Sequence, residues 1–292
     1  MNMLHRQSPM SRIGLAFAAV ILIVSCRSMP VAPFPEVVDW LPEESNLVLR
    51  IEVDGNETLA ESLISLAGMN PEEFQPVIKR TALLAFGAEI TGDEENLLYA
   101  PIHAAAIGLW PRGLLGGVLG SEWVRKRSEQ FVWSGPNDME LAAPSNEEII
   151  ISRTRLSKLL RNRRSTAGLP GRRYRLPRNA DLALLVDGAE LVNRLMPLAD
   201  GRVVGLTAVL RKKGLSSYGA ELRIYAAEEV LAPSLGLAIR LAVSSRFGTS
   251  SIPEERDLIP KMKVETDGGV VTLNIESVSL AVIHSLLAEI DL

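Results

Sequence analysis

The sequence predicts an α+β fold of two tandem related halves, with mostly antiparallel sheets packed against amphipathic helices. Three observations carry this. Apolar residues make up 47% of the 292 and charged residues 23%, the balance of a globular chain with ample core rather than of a disordered one. A segment recurs: residues 41–55 (LPEESNLVLRIEVDG) align with 176–188 (LPRNADLALLVDG) across a two-residue gap. After each copy, β-prone runs bounded by turn residues alternate with helical stripes of Leu at i, i+4, i+7.

The elements follow in chain order. Residues 1–25 carry His5, Arg6 and Arg12, no acid, and the apolar run 13–24 (IGLAFAAVILIV), which is too short to span a bilayer. That is the layout of a secretory signal. The junction Ile23-Val24-Ser25-Cys26 has the lipobox pattern, a branched apolar residue and a small residue ahead of Cys, so 1–25 is expected to be a lipoprotein signal peptide and Cys26 the lipid attachment point. Two or three acyl chains anchor effectively permanently, where one is marginal. Covalent acyl chains on Cys26 are the only prosthetic group expected, with no other cofactor. Residues 26–40 then read as the acylated Cys and a Pro-rich extended tether (RSMPVAPFP at 27–35). Cleavage leaves 29 basic against 35 acidic residues, a net charge of -6. A single thiol excludes an intrachain disulfide framework, and the absence of a global basic excess argues against a nucleic-acid partner.

The first α+β half is expected over 41–165. The Leu59, Leu63, Leu66 stripe gives a helix, 103–110 a strand, and 114–125 a Gly-rich apolar helix; short strands follow near 129–133, 138–142 and 148–152, and a helix covers 154–162. A basic linker, 166–175, leads to the second half, 176–292. There the stripe is Leu191, Leu195 and Leu198; strands 203–211 and 217–226 form a hairpin about Lys213-Gly214; a helix covers 228–246; a second hairpin turns at Asp267-Gly268-Gly269; and a final helix runs over 278–290.

Three constellations could carry function. In 228–246 (EEVLAPSLGLAIRLAVSSR), ten of the fourteen residues 230–243 are Ala, Val, Ile or Leu, and Arg240 is their only charge. Leu231, Leu235, Ile239 and Val243 form one stripe while Leu237 and Leu241 lie round the cylinder from it. Such a helix is either core or a lipid contact, and at fourteen residues it would lie in the interface rather than span. In 113–123 (GLLGGVLGSEW), Leu115, Leu119 and Trp123 recur at i, i+4, i+8 among four glycines, each costing a helix about 1 kcal/mol relative to Ala. Trp110 and Trp123 would suit a headgroup interface; close helix packing through Gly is the alternative. Third, Arg153, Arg155, Lys158, Arg161, Arg163, Arg164, Arg172, Arg173, Arg175 and Arg178 fall within 26 residues free of acid, a pattern for an anionic surface or for a solvated linker. His103 and His284 are expected to be structural, no residues form a metal-ligating pattern, and no catalytic motif is present, so a non-enzymatic protein is expected.

The lipobox, the tether, the opening DWLPEESNLVLRIEVDG and the central AAIGLWPRG…LGSEWVRKRSEQFVWSG, with the apolar helices, resemble spirochaetal outer-membrane lipoproteins of the treponemal type. The resemblance implies an outer-membrane lipoprotein on the periplasmic face whose amphipathic helices bind or perturb lipid. The lipid-contacting residues would be Leu231, Leu235, Leu237, Ile239, Leu241, Val243, Leu115, Leu119 and Trp123, with Pro233 and the glycines departing from a straight helix. Membrane lipid is then the expected partner. Two other readings stay open at this point: an assembly module docking an acidic envelope protein through Arg155, Lys158, Arg161, Arg163, Arg164, Arg172 and Arg173, or a lipid carrier with an apolar cavity between the halves.

Overall fold

The structure, a computed structural model, describes residues 36–66, 70–91, 100–127, 129, 131–164, 176, 177, 179–195 and 201–288. The signal, Cys26, the tether up to residue 35, the linker 166–175 with Arg172, Arg173 and Arg175, and Arg178 and Leu198 lie outside the described residues.

Residues 35–292 form one unit built on a single twelve-stranded sheet. A 3-10 turn at Val37–Trp40 precedes β1 (Leu47–Glu52), α1 (Glu57–Leu66), α2 (Pro71–Ile78), β2 (Thr81–Ala88), β3 (Ile102–Gly108), α3 (Arg112–Val118), β4 (Val124–Arg125), β5 (Val132–Ser134), β6 (Met139–Ala142), β7 (Glu148–Arg153) and α4 (Leu156–Arg164). The second half holds β8 (Leu182–Asp187), α5 (Ala189–Leu195), β9 (Val203–Lys212), β10 (Ser217–Ala226), α6 (Ala232–Gly248), α7 (Pro253–Arg256), β11 (Met262–Asp267), β12 (Val270–Ser279) and α8 (Leu280–Ala288). The fold is α+β, and every neighbouring pair in the order β11-β12-β10-β9-β8-β1-β2-β3-β7-β6-β5-β4 is antiparallel.

The sequence repeat sits at the centre. Its two copies are β1 and β8, which pair with each other so that Leu49 faces Leu184, its own counterpart in the alignment. A local two-fold therefore passes between them. On either side β1-β2-β3-β7-β6 is echoed by β8-β9-β10-β12-β11. Even the polar caps match: the Asn46 side chain accepts the Ile90 N–H (2.8 Å), and Asp181, aligned with Asn46, accepts the Lys212 N–H (2.7 Å).

Side-chain alternation splits the sheet into two faces. One face carries Phe86, Leu49, Leu184, Leu206, Leu222, Ile224 and Val271 and is covered by α1, α5, α6 and α8, with α3 covering its first-half end. The opposite face is covered differently. In the first half Leu41 lies over Gly87, α4 packs on β7 and the 3-10 turn, and Asn162 donates to the Trp40 carbonyl (3.2 Å). In the outer strands of the second half, that face presents Arg223, Asn274, Lys263 and Glu265 at the surface.

One expectation is corrected. The helix over 114–125 stops at Val118, because after Gly120 the chain turns and 124–125 join the sheet edge as β4. Three elements were unassigned in the sequence: α2, α7 and β2. The last is apolar on both faces and so lacks alternation.

Candidate functional site

The site is built on α6. Pro233 lies in its first turn, where a missing N–H costs nothing. Leu235, Ile239 and Val243 are half-buried against the sheet, Leu231 is half-buried ahead of the helix, and Ala232, Gly236 and Phe247 are buried. Gly236 permits this approach: a Cβ there would stand 2.7 Å from Thr266 Oγ1. Arg240 reaches to the sheet edge, donating from Nη2 to the Val264 carbonyl at 2.7 Å.

The other side of α6 faces solvent. Leu237 is 59% exposed, Leu241 62%, and Val230, just ahead of the helix, 75%. Ala238 and Ala242 are exposed beside them. Of the helical stretch Glu229–Gly248, which is long and apolar enough to count as a candidate span, only 22% of the apolar window is buried. The six leucine, isoleucine and valine positions expected to touch lipid therefore divide. Leu237 and Leu241 are outward, whereas Leu231, Leu235, Ile239 and Val243 attach the helix to its own sheet.

The lower end of α6 is fixed by Glu255 of α7, a fully buried carboxylate. It accepts from Ser250 Oγ (2.7 Å), Arg246 Nη1 (2.9 Å) and Ser285 Oγ of α8 (2.9 Å). Those bonds, from Ser250 first and then Ser285 and Arg246, hold its pKa below the ordinary carboxylate value against the opposing effect of burial.

The counterpart of α6 across the local two-fold is α3. Leu115 is buried among Trp110, Trp133, Leu141 and Ile149, and Leu119 and Trp123 pack partly buried on the same cluster. Gly135 lies under the Trp123 ring, which a Cβ would meet at 2.8 Å. Leu115 and Trp110 thus point inward, which corrects the expectation that they meet lipid; packing of the Gly-rich helix against its own aromatic core takes them. Leu114, at 67% exposure, is the outward residue of α3.

The basic segment is also redistributed. Arg155 pairs with Glu89 (2.8 Å) and Glu44 (3.3 Å), Lys158 with Glu44 (2.5 Å), and Arg163 with Glu148 (2.5 Å). These three cations tie α4 to its own half, which corrects their reading as free surface charge. Arg161 and Arg164 are exposed and in no ion pair among the described residues. Beneath them, buried His103 shares hydrogen bonds with Ser152 Oγ (2.8 Å) and Glu89 Oε1 (3.1 Å), and Ser152 also accepts the Arg155 N–H at the start of α4. Burial holds the His103 pKa below its usual 6.5. The exposed His284 bonds Ser62 of α1.

No family model and no curated protein matches the chain. Its fold is similar to that of TP0453 of Treponema pallidum. Crystal form IV matches with a TM-score of 0.58 at 13% identity, covering 86% of this chain and 96% of that one; crystal form I has the same TM-score at 12% identity, covering 87% and 97%.

Proposed function

We infer that this is a non-enzymatic, lipid-anchored bacterial envelope protein that contacts membrane lipid through the outward face of α6. The observation that carries the reading is Leu237 and Leu241, with Val230 just ahead, standing in solvent on a helix whose two cations are held within the protein, Arg240 at the sheet edge and Arg246 on Glu255. An apolar face of this kind marks an interaction surface. The lipobox supports attachment through Cys26, and anchoring would hold α6 near a bilayer. The fold shared with a treponemal protein fits the outer-membrane setting, on its periplasmic side. Lipid contact by α3 is the lesser part of the reading, since among its described side chains Leu114 is the large apolar one turned outward.

The test is flotation of a Cys26→Ala chain starting at residue 26 with phosphatidylcholine vesicles. Association without acylation is expected. Protein remaining entirely in the unbound fraction, with neutral and anionic vesicles alike, would sink the reading. Arg161 and Arg164 leave the acidic-partner reading a smaller surface than the sequence suggested, because the three neighbouring cations are engaged within the protein.

A further inference from the structure

The far end of the sheet, at β4, carries a cluster that the reading above does not use. Arg125 stands opposite Trp133 in the β4–β5 pair, so it projects on the face that α3 covers. Phe131, two residues before Trp133, lies on that face with its ring 6.5 Å from Trp133. Two guanidiniums lie against this ring: Arg112, at the start of α3, 4.5 Å from its centroid, and Arg125 at 5.2 Å. Phe131 itself is held at φ 58°, a left-handed backbone that is costly for a bulky residue and therefore imposed by its surroundings.

The charge here is unspent. Arg112, Arg125 and the exposed Arg127 are in no ion pair among the described residues. The Arg112 side chain donates from Nη1 to the Pro144 carbonyl at 3.1 Å, which fixes its position without neutralising it. Lys126 is neutralised by Glu140, and Glu122, Glu129 and Asp138 are the further acids of this stretch. Leu114, on another side of α3 from Arg112, is exposed as well. Two guanidiniums gathered on one aromatic ring, with their charge unpaired, complement the phosphate of a headgroup.

We propose that Arg112 and Arg125, held on Phe131, bind the phosphate of anionic lipid headgroups. The site rests on the membrane reading, but it supplies selectivity for charge where α6 supplies apolar attachment. It also moves the main anionic contact from α4, where Lys158 and Arg163 are engaged and Arg161 and Arg164 are left, to the β4 end.

The experiment compares binding of the Cys26→Ala chain to phosphatidylcholine vesicles and to vesicles with about 30% phosphatidylglycerol at constant ionic strength. The wild-type residues are expected to favour the anionic vesicles about 30-fold, from two arginines near the surface. Arg112→Gln with Arg125→Gln should bring the ratio close to one with neutral-vesicle binding unchanged, and the exposed single variant Arg125→Gln should give an intermediate ratio with the melting temperature kept. A double variant that keeps the full preference overturns the proposal while leaving the α6 reading standing; absent binding to neutral vesicles overturns the α6 reading, and the ratio still judges the arginines. Binding of inorganic phosphate that depends on Arg112 and Arg125, in a parent chain whose vesicle ratio is already close to one, would show a free-phosphate site and overturn the assignment to lipid.

Discussion

Replacing Leu237 and Leu241 together by Ser separates attachment to lipid from attachment to the sheet. Both side chains are about three-fifths exposed, at 59% and 62%, so most of their apolar surface remains to be buried. Full burial of a Leu side chain contributes roughly 1.5–3 kcal/mol, and three-fifths of that is about 1–2 kcal/mol each. The pair should therefore lower the vesicle partition coefficient by about 30- to 1,000-fold. The fold should barely notice, since substitutions at exposed positions usually stay within about 0.5 kcal/mol each. Leu235→Ser with Ile239→Ser gives the converse: these residues pack on Val271 and its neighbours, so stability falls first. Vesicle flotation measures the first quantity and urea unfolding the second. If Leu237→Ser/Leu241→Ser bound vesicles like the parent while unfolding at markedly lower urea, α6 would be a strained core helix, and the assignment of its outward face would be wrong.

Other outcomes follow from the same geometry. Gly236→Val should destabilise by about 1–3 kcal/mol in urea unfolding, since the added methyls meet Thr266 and Val271. Glu255→Gln should lower the melting temperature and loosen the C-terminal end of α6, seen as faster amide exchange there. The Glu255 pKa is depressed in the folded state, so its stabilisation is present above the unfolded carboxylate value and is lost as pH falls through the folded one; the variant's melting temperature should be less sensitive to pH in that acidic window. For His103 the folded pKa also lies below the unfolded 6.5, so the unfolded chain binds the extra proton first. Stability should then hold above pH 6.5 and decline as pH drops below it, and His103→Gln should flatten that slope in melts recorded between pH 7.5 and 5.

Much of the fold was legible because turn chemistry and side-chain period agreed. The hairpin about Lys213-Gly214 was expected over 203–211 and 217–226 and forms as Val203–Lys212 and Ser217–Ala226. The second hairpin turns where expected, with Gly268 at φ 52°. By contrast β2, TALLAFGA, has Ala85 buried on one face and Leu84 and Phe86 packed on the other, so no alternation announces it. For α2 a signal existed and went unread: Asn70 caps the helix by accepting the Glu72 N–H, with Pro71 at its first position. The site was legible in kind and not in orientation. A helix apolar on all sides carries no preferred direction in its sequence, and only the sheet beneath decides that Leu235 is inward and Leu237 outward. The basic run misled for a related reason, since Glu44, Glu89 and Glu148 are brought onto α4 by the fold from separate stretches of chain.

The local two-fold explains why two dissimilar contacts occupy equivalent places. Duplication puts α3 and α6 over the same face at matching positions, after β3 and β10, the second strand outward from the central pair on each side. From there the halves diverge. In the first, four glycines keep the helix to seven residues, and the chain beyond it extends the sheet with β5 and β4, carrying Arg125 and Phe131 to the edge. In the second, a seventeen-residue helix spans the end of the sheet with Leu237 and Leu241 outward, and α7 and α8 are gathered beneath it by Glu255. One end thus presents cation and aromatic ring, the other aliphatic surface. Strands in such a sheet rotate by roughly 20–25° from one to the next, so the two ends are turned apart as well as separated. The α6 and β4 contacts should consequently be thermodynamically independent. Combining Leu237→Ser/Leu241→Ser with Arg112→Gln/Arg125→Gln should give the sum of the separate losses in binding free energy to within about 0.5 kcal/mol. A larger coupling would mean that both ends engage through one shared rearrangement rather than as two fixed surfaces.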